Sequence, residues 1–284
     1  MVGVSFFCCI FAPKMLISGM KLSVVTINYN NLQGLKLTVE SMLRQTFRDY
    51  EWIVIDGGSE DGSREYLKEH GEWFAHVVSE ADGGIYNALN KGARLAQGEY
   101  LYFLNAGDRL YAADVLQRML SAGDADLLYG DVCFCYPGRE DVGRHPERLT
   151  LQYLRKSPLN HQSTMVRRSC FERLGGFDER FSIAADWRLL VQLKLEGARF
   201  RYVPIVVCRY DMSGISSCSQ ERMEEERRQF FGELIPAVYL EALDELYTFD
   251  NKPCILTRDY CAERGCYRRW IRSLLHVITW LHKW

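Results

Sequence analysis

Between residues 21 and 104 short β-branched runs alternate with stretches of helical periodicity, and this alternation limits the fold more than anything else in the chain. Residues 22–28 form an apolar run that ends in the turn Asn28-Tyr29-Asn30-Asn31. Leu35, Val39, Met42 and Leu43 follow at the spacing of one helix face. A second run over 50–55 ends at Asp56, residues 63–70 read as helix, and 75–79 as a short strand. Residues 85–96 are again helical, stopped by Gly98, and a strand over 99–104 runs into Asn105. Strand, helix, strand, helix predicts a mostly parallel sheet flanked by helices, with right-handed crossovers. Such sheets bind ligands beyond the carboxyl ends of their strands. Polar clusters stand at those ends: Asp56-Gly57-Gly58-Ser59-Glu60-Asp61-Gly62-Ser63 and Asn105-Ala106-Gly107-Asp108. A third, Ala185-Asp186-Trp187, opens a helical run over 186–196.

Each cluster has a structural and a chemical reading. A carboxylate at 56 followed by two glycines can accept hydrogen bonds from a base or ribose, while Ser59 and Asp61 can instead cap the next helix. Asp108 can hold a divalent cation that neutralises a leaving diphosphate, or serve as a turn residue. Asp186 can take a proton from an acceptor hydroxyl, or cap its helix. Neither a Walker motif nor a G-x-G-x-x-G fingerprint is present, so an NTPase or a dinucleotide enzyme is unsupported.

Composition narrows the partners. With 284 residues, 48% hydrophobic and 25% charged, the chain can build one large domain, or one domain plus an appendage. A net charge of −2 gives no case for nucleic acid. The ten cysteines lack paired zinc spacing, and Cys133, Cys170 and Cys208 sit in apolar or strand-like surroundings, as expected of reduced, buried thiols in cytosol. Residues 1–20 read as an N-terminal extension, too short in its apolar part to span a bilayer and without a preceding basic region. Near Gly214-Ile215-Ser216-Ser217 the composition changes, which places a domain over 21–217 and a helical extension over 218–284. At its end Tyr267, Ile271, Leu274, Ile278 and Leu281 form a stripe beside Arg268, Arg269, Arg272 and Lys283. This basic amphipathic helix suits a membrane surface, its own domain or a second subunit.

Residues 21–217 resemble a family 2 glycosyltransferase of the GT-A fold. The resemblance rests on Val24-Val25-Thr26-Ile27-Asn28-Tyr29-Asn30, the Asp56 cluster, Asn90-Lys91-Gly92 leading through Gln97-Gly98-Glu99 to Asn105-Ala106-Gly107-Asp108, then Gly175-Gly176-Phe177-Asp178 and Ala185-Asp186. It implies that Thr26, Asn28 and Asn30 line the base and ribose pocket with Ser59, and that Asp56 reads the nucleobase. It implies that Asp108 is the last carboxylate of the family's Asp-x-Asp metal motif, with Mn2+ or Mg2+ as cofactor, and that Asp186 is the base of an inverting transfer. Asn105 stands where the family often has an acid; it offers a carbonyl oxygen without charge, which predicts weaker metal affinity. The stretch from Glu80 to Gly92 resembles a subgroup of bacterial exopolysaccharide and colanic-acid-type enzymes, and places Asp82 and Lys91 beside the donor sugar or diphosphate. His161, Gln162 and Asp131 fall on the expected acceptor side.

The expected activity is transfer of one sugar from a UDP-, GDP- or dTDP-sugar to a hydroxyl, on a lipid-linked or oligosaccharide acceptor. The expected place is the cytoplasm or the inner face of the cytoplasmic membrane. The Gln-x-x-Arg-Trp motif of processive synthases is lacking, which favours a single transfer. Two other readings compete: a sugar nucleotidyltransferase, against which the turn Asn28-Tyr29-Asn30-Asn31 argues, and an inactive binding module of a polysaccharide assembly complex.

Overall fold

The computed structural model describes residues 20–212 and 220–243. The N-terminal extension before Met20, the boundary at Gly214–Ser217 and the basic helix from Tyr267 onward lie outside the described residues.

The predicted alternation is present. β1 (Leu22–Asn28), α1 (Leu32–Leu43), β2 (Tyr50–Asp56), α2 (Ser63–Glu69), β3 (His76–Ser79), α3 (Ile85–Leu95) and β4 (Tyr100–Phe103) follow one another. They build a parallel block in the order β3-β2-β1-β4. The chain continues through β5 (Arg109–Leu110), α4 (Val115–Leu120), β6 (Leu127–Tyr136), β7 (Arg139–Gly143), α5 (Leu151–Leu154), β8 (Thr164–Arg167), α6 (Arg168–Arg173), α7 (Ala185–Leu195), β9 (Phe200–Asp211) and α8 (Gln220–Leu234). β8 enters antiparallel to both β4 and β6, β9 runs parallel to β6, and β5 pairs antiparallel with the end of β9. The sheet is therefore mostly parallel, with β8, β5 and the hairpin strand β7 reversed.

Alternation along the strands sorts the core into two layers. Leu22, Val24, Trp52, Val54, Tyr100 and Tyr102 share one buried cluster with Leu35, Val39 and Met42 of α1 and Leu116 and Met119 of α4. Val25 and Ile55 face the other way, against α3. There α3 lies so close that a Cβ on Gly92 would come within 2.3 Å of Val25, so the helix can seat only with glycine at 92. Phe103 faces this second layer as well, its ring 5.4 Å from Phe171 and 5.0 Å from Phe177.

The change of composition near Ser217 does not mark the end of the body. One compact unit runs through Ile235 and includes α8; a second begins at Pro236, of which 236–243 are described, with helix over 237–243. Phe230 and Phe231 of α8 lie against Trp187 of α7, with centroids 5.9 and 6.4 Å away. Among the described residues no helix is long and apolar enough to cross a membrane.

Candidate active site

The carboxyl ends of β1 and β2 meet in one hydrogen-bonded knot. Asn28 and Asp56 are partners in register, and Asn28 Nδ2 donates to Asp56 Oδ1 at 2.8 Å. Ser59 closes the loop back onto the strand: its N–H reaches Asp56 Oδ2 at 3.0 Å and its Oγ reaches Oδ1 at 2.5 Å. Ser79, at the end of β3, adds a bond of 2.6 Å to Oδ2. Burial alone would push the Asp56 carboxyl up, but the bonds from Ser59, Ser79 and Asn28 outweigh it and hold the acid below its ordinary value. Asp56 is fully buried with four acceptor sites taken, so in this arrangement it positions its neighbours and faces no open space. The group with bonding capacity left over is Asn28, 4% exposed, whose Oδ1 is buried without a partner. Asn30 serves as a latch: its N–H donates to Ser59 Oγ and its Oδ1 accepts from Glu60 N–H, both at 2.8 Å, with Asn30 at a φ of 47°. Asp61, not Ser59, reaches the helix starts, accepting from Leu32 N–H of α1 and Ser63 N–H of α2, while the N-cap positions are Asn31 and Gly62.

Thr26 does not belong to this end. It is fully buried in mid-strand, where its Oγ1 accepts the indole N–H of Trp52 at 3.0 Å; two residues before the strand end, it has no route to a ligand. Asp82 lies beside Gly57, where a Cβ would meet its Oδ2 at 2.8 Å. Lys91 is turned onto that loop, ion-paired with Glu80 at 2.9 Å, and does not line the central cleft.

Below the knot opens a cleft of about 610 Å³. Its walls bring together Asn105, Asp108, His161, Gln162 and Asp186 with four side chains that the sequence reading passed over: Tyr29, Tyr86, Tyr210 and Asp211. The 105–108 loop is shaped by α1, where the Thr38 hydroxyl donates to the Asp108 carbonyl at 2.7 Å and accepts Gly107 N–H at 3.0 Å. Asp108 is 3% exposed; its Oδ1 accepts Asp211 N–H and its Oδ2 accepts Gln162 Nε2, each at 2.9 Å. Burial pushes its carboxyl up to about 7, and these bonds only partly oppose it. Asp211 sits at the end of β9, its Oδ2 3.2 Å from where a Cβ on Gly107 would be. Nothing in the sequence marks Asp211; the long strand β9, parallel to β6 and paired at its end with β5, brings it to Asp108.

Asp186 stands in the first turn of α7. Its Oδ1 accepts Tyr86 O–H and Trp187 N–H, both at 2.8 Å, and its Oδ2 meets His161 Nδ1 at 2.9 Å. The other ring nitrogen of His161 is 3.2 Å from Asn105 Nδ2, so His161 bridges Asp186 and the 105–108 loop. Tyr86 is held well above its ordinary value, first by burial and then by the Asp186 charge, and so stays a donor. The Gly-Gly-Phe-Asp segment sets the approach to α7: Asn90 pairs with both the N–H and the carbonyl of Phe177, at 2.9 and 2.8 Å. Gly176 has a φ of 81°, and a Cβ there would be 2.7 Å from Asn90 Oδ1.

Asp131 is not part of the cleft. It accepts His145 N–H and Tyr202 O–H, at 3.0 and 2.9 Å, where the β6–β9 register shifts, and it satisfies that irregularity. Cys133, Cys170 and Cys208 are free and buried. Among the described residues one cluster of potential metal-ligating groups, Cys133, Cys135 and Glu140, lies on the β6–β7 hairpin, where Glu140 is ion-paired with Arg209.

Comparison with known proteins agrees with this architecture. The model of the family described as glycosyl transferase family 2 matches residues 23–176. An uncharacterized glycosyltransferase of Mycobacterium tuberculosis is 34% identical over 248 residues, covering 81% of this chain and 93% of its own length. A PGL/p-HBAD biosynthesis glycosyltransferase of Mycobacterium bovis is 32% identical over 206 residues, 68% of this chain and 77% of that one. Among solved structures, S. aureus TarS 1-349 in complex with UDP-GlcNAc superposes with a TM-score of 0.63 at 18% identity, covering 77% of this chain and 67% of that chain. The Pyrobaculum calidifontis mannosyltransferase PcManGT, in complex with GDP-Man and Mn2+, gives 0.55 at 21% identity, covering 75% and 64%. The chain spans only part of these solved chains, and at such identities the likeness is one of fold, the GT-A-like α/β fold. The family match and the two mycobacterial relatives carry the assignment: this chain belongs to glycosyl transferase family 2, the glycosyltransferases that take a sugar from a nucleotide-sugar.

Proposed function

We propose that the protein transfers a single sugar, with inversion, from a nucleotide-sugar to a hydroxyl of a lipid-linked or glycolipid acceptor. The observation that carries this reading is the convergence of Asp108, Asp211 and Asp186 on one cleft beneath the Asn28–Asp56 knot. Asn28 Oδ1, an acceptor without a partner, suits an imide or amine N–H of a base, and Tyr29, 68% exposed beside it in sequence, offers a ring to stack on. Asp56, Ser59 and Asn30 hold that pair in place.

The residues of the 105–108 loop fit a divalent cation. Asn105 Oδ1 is buried without a partner, and Asp108 is a buried carboxylate whose ionisation needs a nearby positive charge. Asp108, Asp211 and Asn105 are all oxygen donors, the set that hard cations such as Mg2+ or Mn2+ prefer. A cation there would neutralise the charge of a leaving diphosphate. Asp211 would supply the second charge that Asn105 lacks. Metal use is supported by the Mn2+ bound to a fold relative.

Asp186 would accept the proton of the attacking hydroxyl, with Tyr86, Trp187 N–H and His161 fixing its direction. For the acceptor, the M. bovis relative's name points toward glycolipid biosynthesis, and the resemblance of residues 80–92 points toward surface polysaccharide. An acceptor at a membrane surface would suit the basic C-terminal segment. The test is a screen of UDP-GlcNAc, GDP-mannose and dTDP-glucose for nucleotide release with Mn2+, with EDTA as control. Metal-dependent release from one donor supports the reading; release from none, together with no thermal shift by any nucleotide, contradicts it.

A further inference from the structure

Helix α7 begins without a capping side chain, because its N-cap is Ala184. Backbone N–H groups left buried and unpaired are costly, and the turn just ahead of the helix, residues 182–184, finds its acceptor on another helix. Glu226 of α8 is 7% exposed and turns its carboxylate onto residues 182–184. Its Oε1 accepts Ser182 N–H at 2.9 Å and Ser182 Oγ at 2.8 Å, and its Oε2 accepts Ile183 N–H at 3.0 Å and Ala184 N–H at 2.9 Å. The carbonyl of Ile183 in turn accepts the Tyr86 hydroxyl at 2.6 Å. One short segment is thus clamped from α3 and α8, two residues ahead of Asp186, and the same segment lines the cleft.

Anchoring α8 does not need this carboxylate. Phe230 stacks on Phe231 and touches Phe181 and Trp187, and Glu233 pairs with Arg180 at 3.0 Å. Glu226 instead spends a buried charge on three backbone N–H groups. Burial pushes its carboxyl up, and the bonds from Ile183, Ser182 and Ala184 more than reverse that.

We propose that Glu226 is a positioning residue for Asp186: its carboxylate fixes residues 182–184, and through them the direction in which Asp186 points into the cleft. This rests on the reading of Asp186 as the base of a glycosyl transfer. Glu226→Ala would leave a carboxylate-sized gap walled by three N–H donors, a site that a free carboxylate can enter.

The experiment uses the full chain and the donor that the wild type turns over. Glu226→Ala should lower kcat roughly 10- to 100-fold with the donor KM within about threefold, the pattern of a displaced group rather than lost binding. Formate at about 100 mM should restore at least tenfold of that kcat and raise the melting temperature of the variant, with no effect of chloride and none on wild type. Glu226→Gln, with one acceptor oxygen and an amide facing N–H donors, should also lose kcat and not respond to formate. Arg222→Ala removes an exposed guanidinium that pairs with Glu226 Oε1 at 3.3 Å; the carboxylate keeps its backbone partners, so kcat should stay within about twofold. If Glu226→Ala fails to fold, Glu226→Gln decides alone: lost kcat with held KM supports the proposal, and unchanged kcat overturns it. If the alanine variant loses stability and activity together and formate restores neither, Glu226 only stabilises the turn at 182–184. A wild type that releases nucleotide from no donor would overturn the parent reading, and a formate-dependent rise in the melting temperature of Glu226→Ala would still separate that failure from the failure of the clamp.

Discussion

Tyr86 and Asp186, a hundred residues apart in sequence, are joined by a hydrogen bond of 2.8 Å that links α3 to α7, the helix carrying the proposed base. The single hydroxyl hydrogen is shared with the carbonyl of Ile183, 2.6 Å away. A phenol held this way fixes one carboxylate oxygen and leaves the other to His161.

Tyr86→Phe removes the hydroxyl and keeps the ring contact with Phe177. Hydrogen bonds to charged groups contribute about 1.5–3 kcal/mol, so kcat should fall roughly 10- to 100-fold if that energy positions the base. Donor KM should hardly move. Steady-state kinetics checks this, and an equal loss in kcat and in donor affinity would place Tyr86 in binding instead.

Asp108 ties stability and metal affinity to pH. Its folded-state value of about 7 lies above the ordinary 3.8, so between these values the folded protein binds more protons than the unfolded chain. Without metal, stability should therefore fall as pH rises from about 4 to 7, by on the order of 4 kcal/mol for an uncompensated shift of this size. Asp108→Asn should flatten that slope. Mn2+ binding needs the ionised acid, so affinity should climb up to about tenfold per pH unit below 7 and level off above it. Melting curves and calorimetric titrations across this range check both, and Asp211→Asn should weaken Mn2+ binding while leaving nucleotide binding without metal intact.

Thr26 and Asp56 separate structural from binding roles. Thr26→Val leaves the buried Trp52 N–H unpaired at a cost of about 1–3 kcal/mol, with donor KM unchanged. Asp56→Asn disturbs a carboxylate with four hydrogen bonds and should both destabilise the protein and raise donor KM, since Asn28 and Ser59 lose their anchor. The Asp56 acid is depressed in the fold, so its contribution is present above about pH 4 and is lost as pH falls through the folded value. The variant should accordingly show a shallower acid limb in its stability profile.

The part of the molecule legible in the sequence is the part with local signals. Residues 22–104 alternate in period, and their strand ends, including Asn28, Asp56 and the 105–108 loop, fall where that period puts them. After β4 the sheet is completed by a mixture of reversed strands, β5, β7 and β8, and the long parallel pair β6 and β9, and such non-local pairings leave no periodic trace. Asp211 reaches Asp108 only because β9 continues to the sheet edge beside β5, and Glu226 reaches α7 from another helix. Thr26 carries a binding role only through the family resemblance, and the Trp52 indole in the next strand, its partner in the fold, leaves no local signal in the sequence. Asp131 misled because strand-end position alone does not distinguish a cleft from a bulge.

The most direct test of one site with three separated carboxylate roles is Asp186→Asn, measured for donor binding and for turnover on the same protein. Nucleotide-sugar with Mn2+ should still bind within a few-fold of wild type, while kcat falls by roughly 10²- to 10⁴-fold. Turnover near the wild-type rate with binding intact would contradict the assignment of Asp186 as the base.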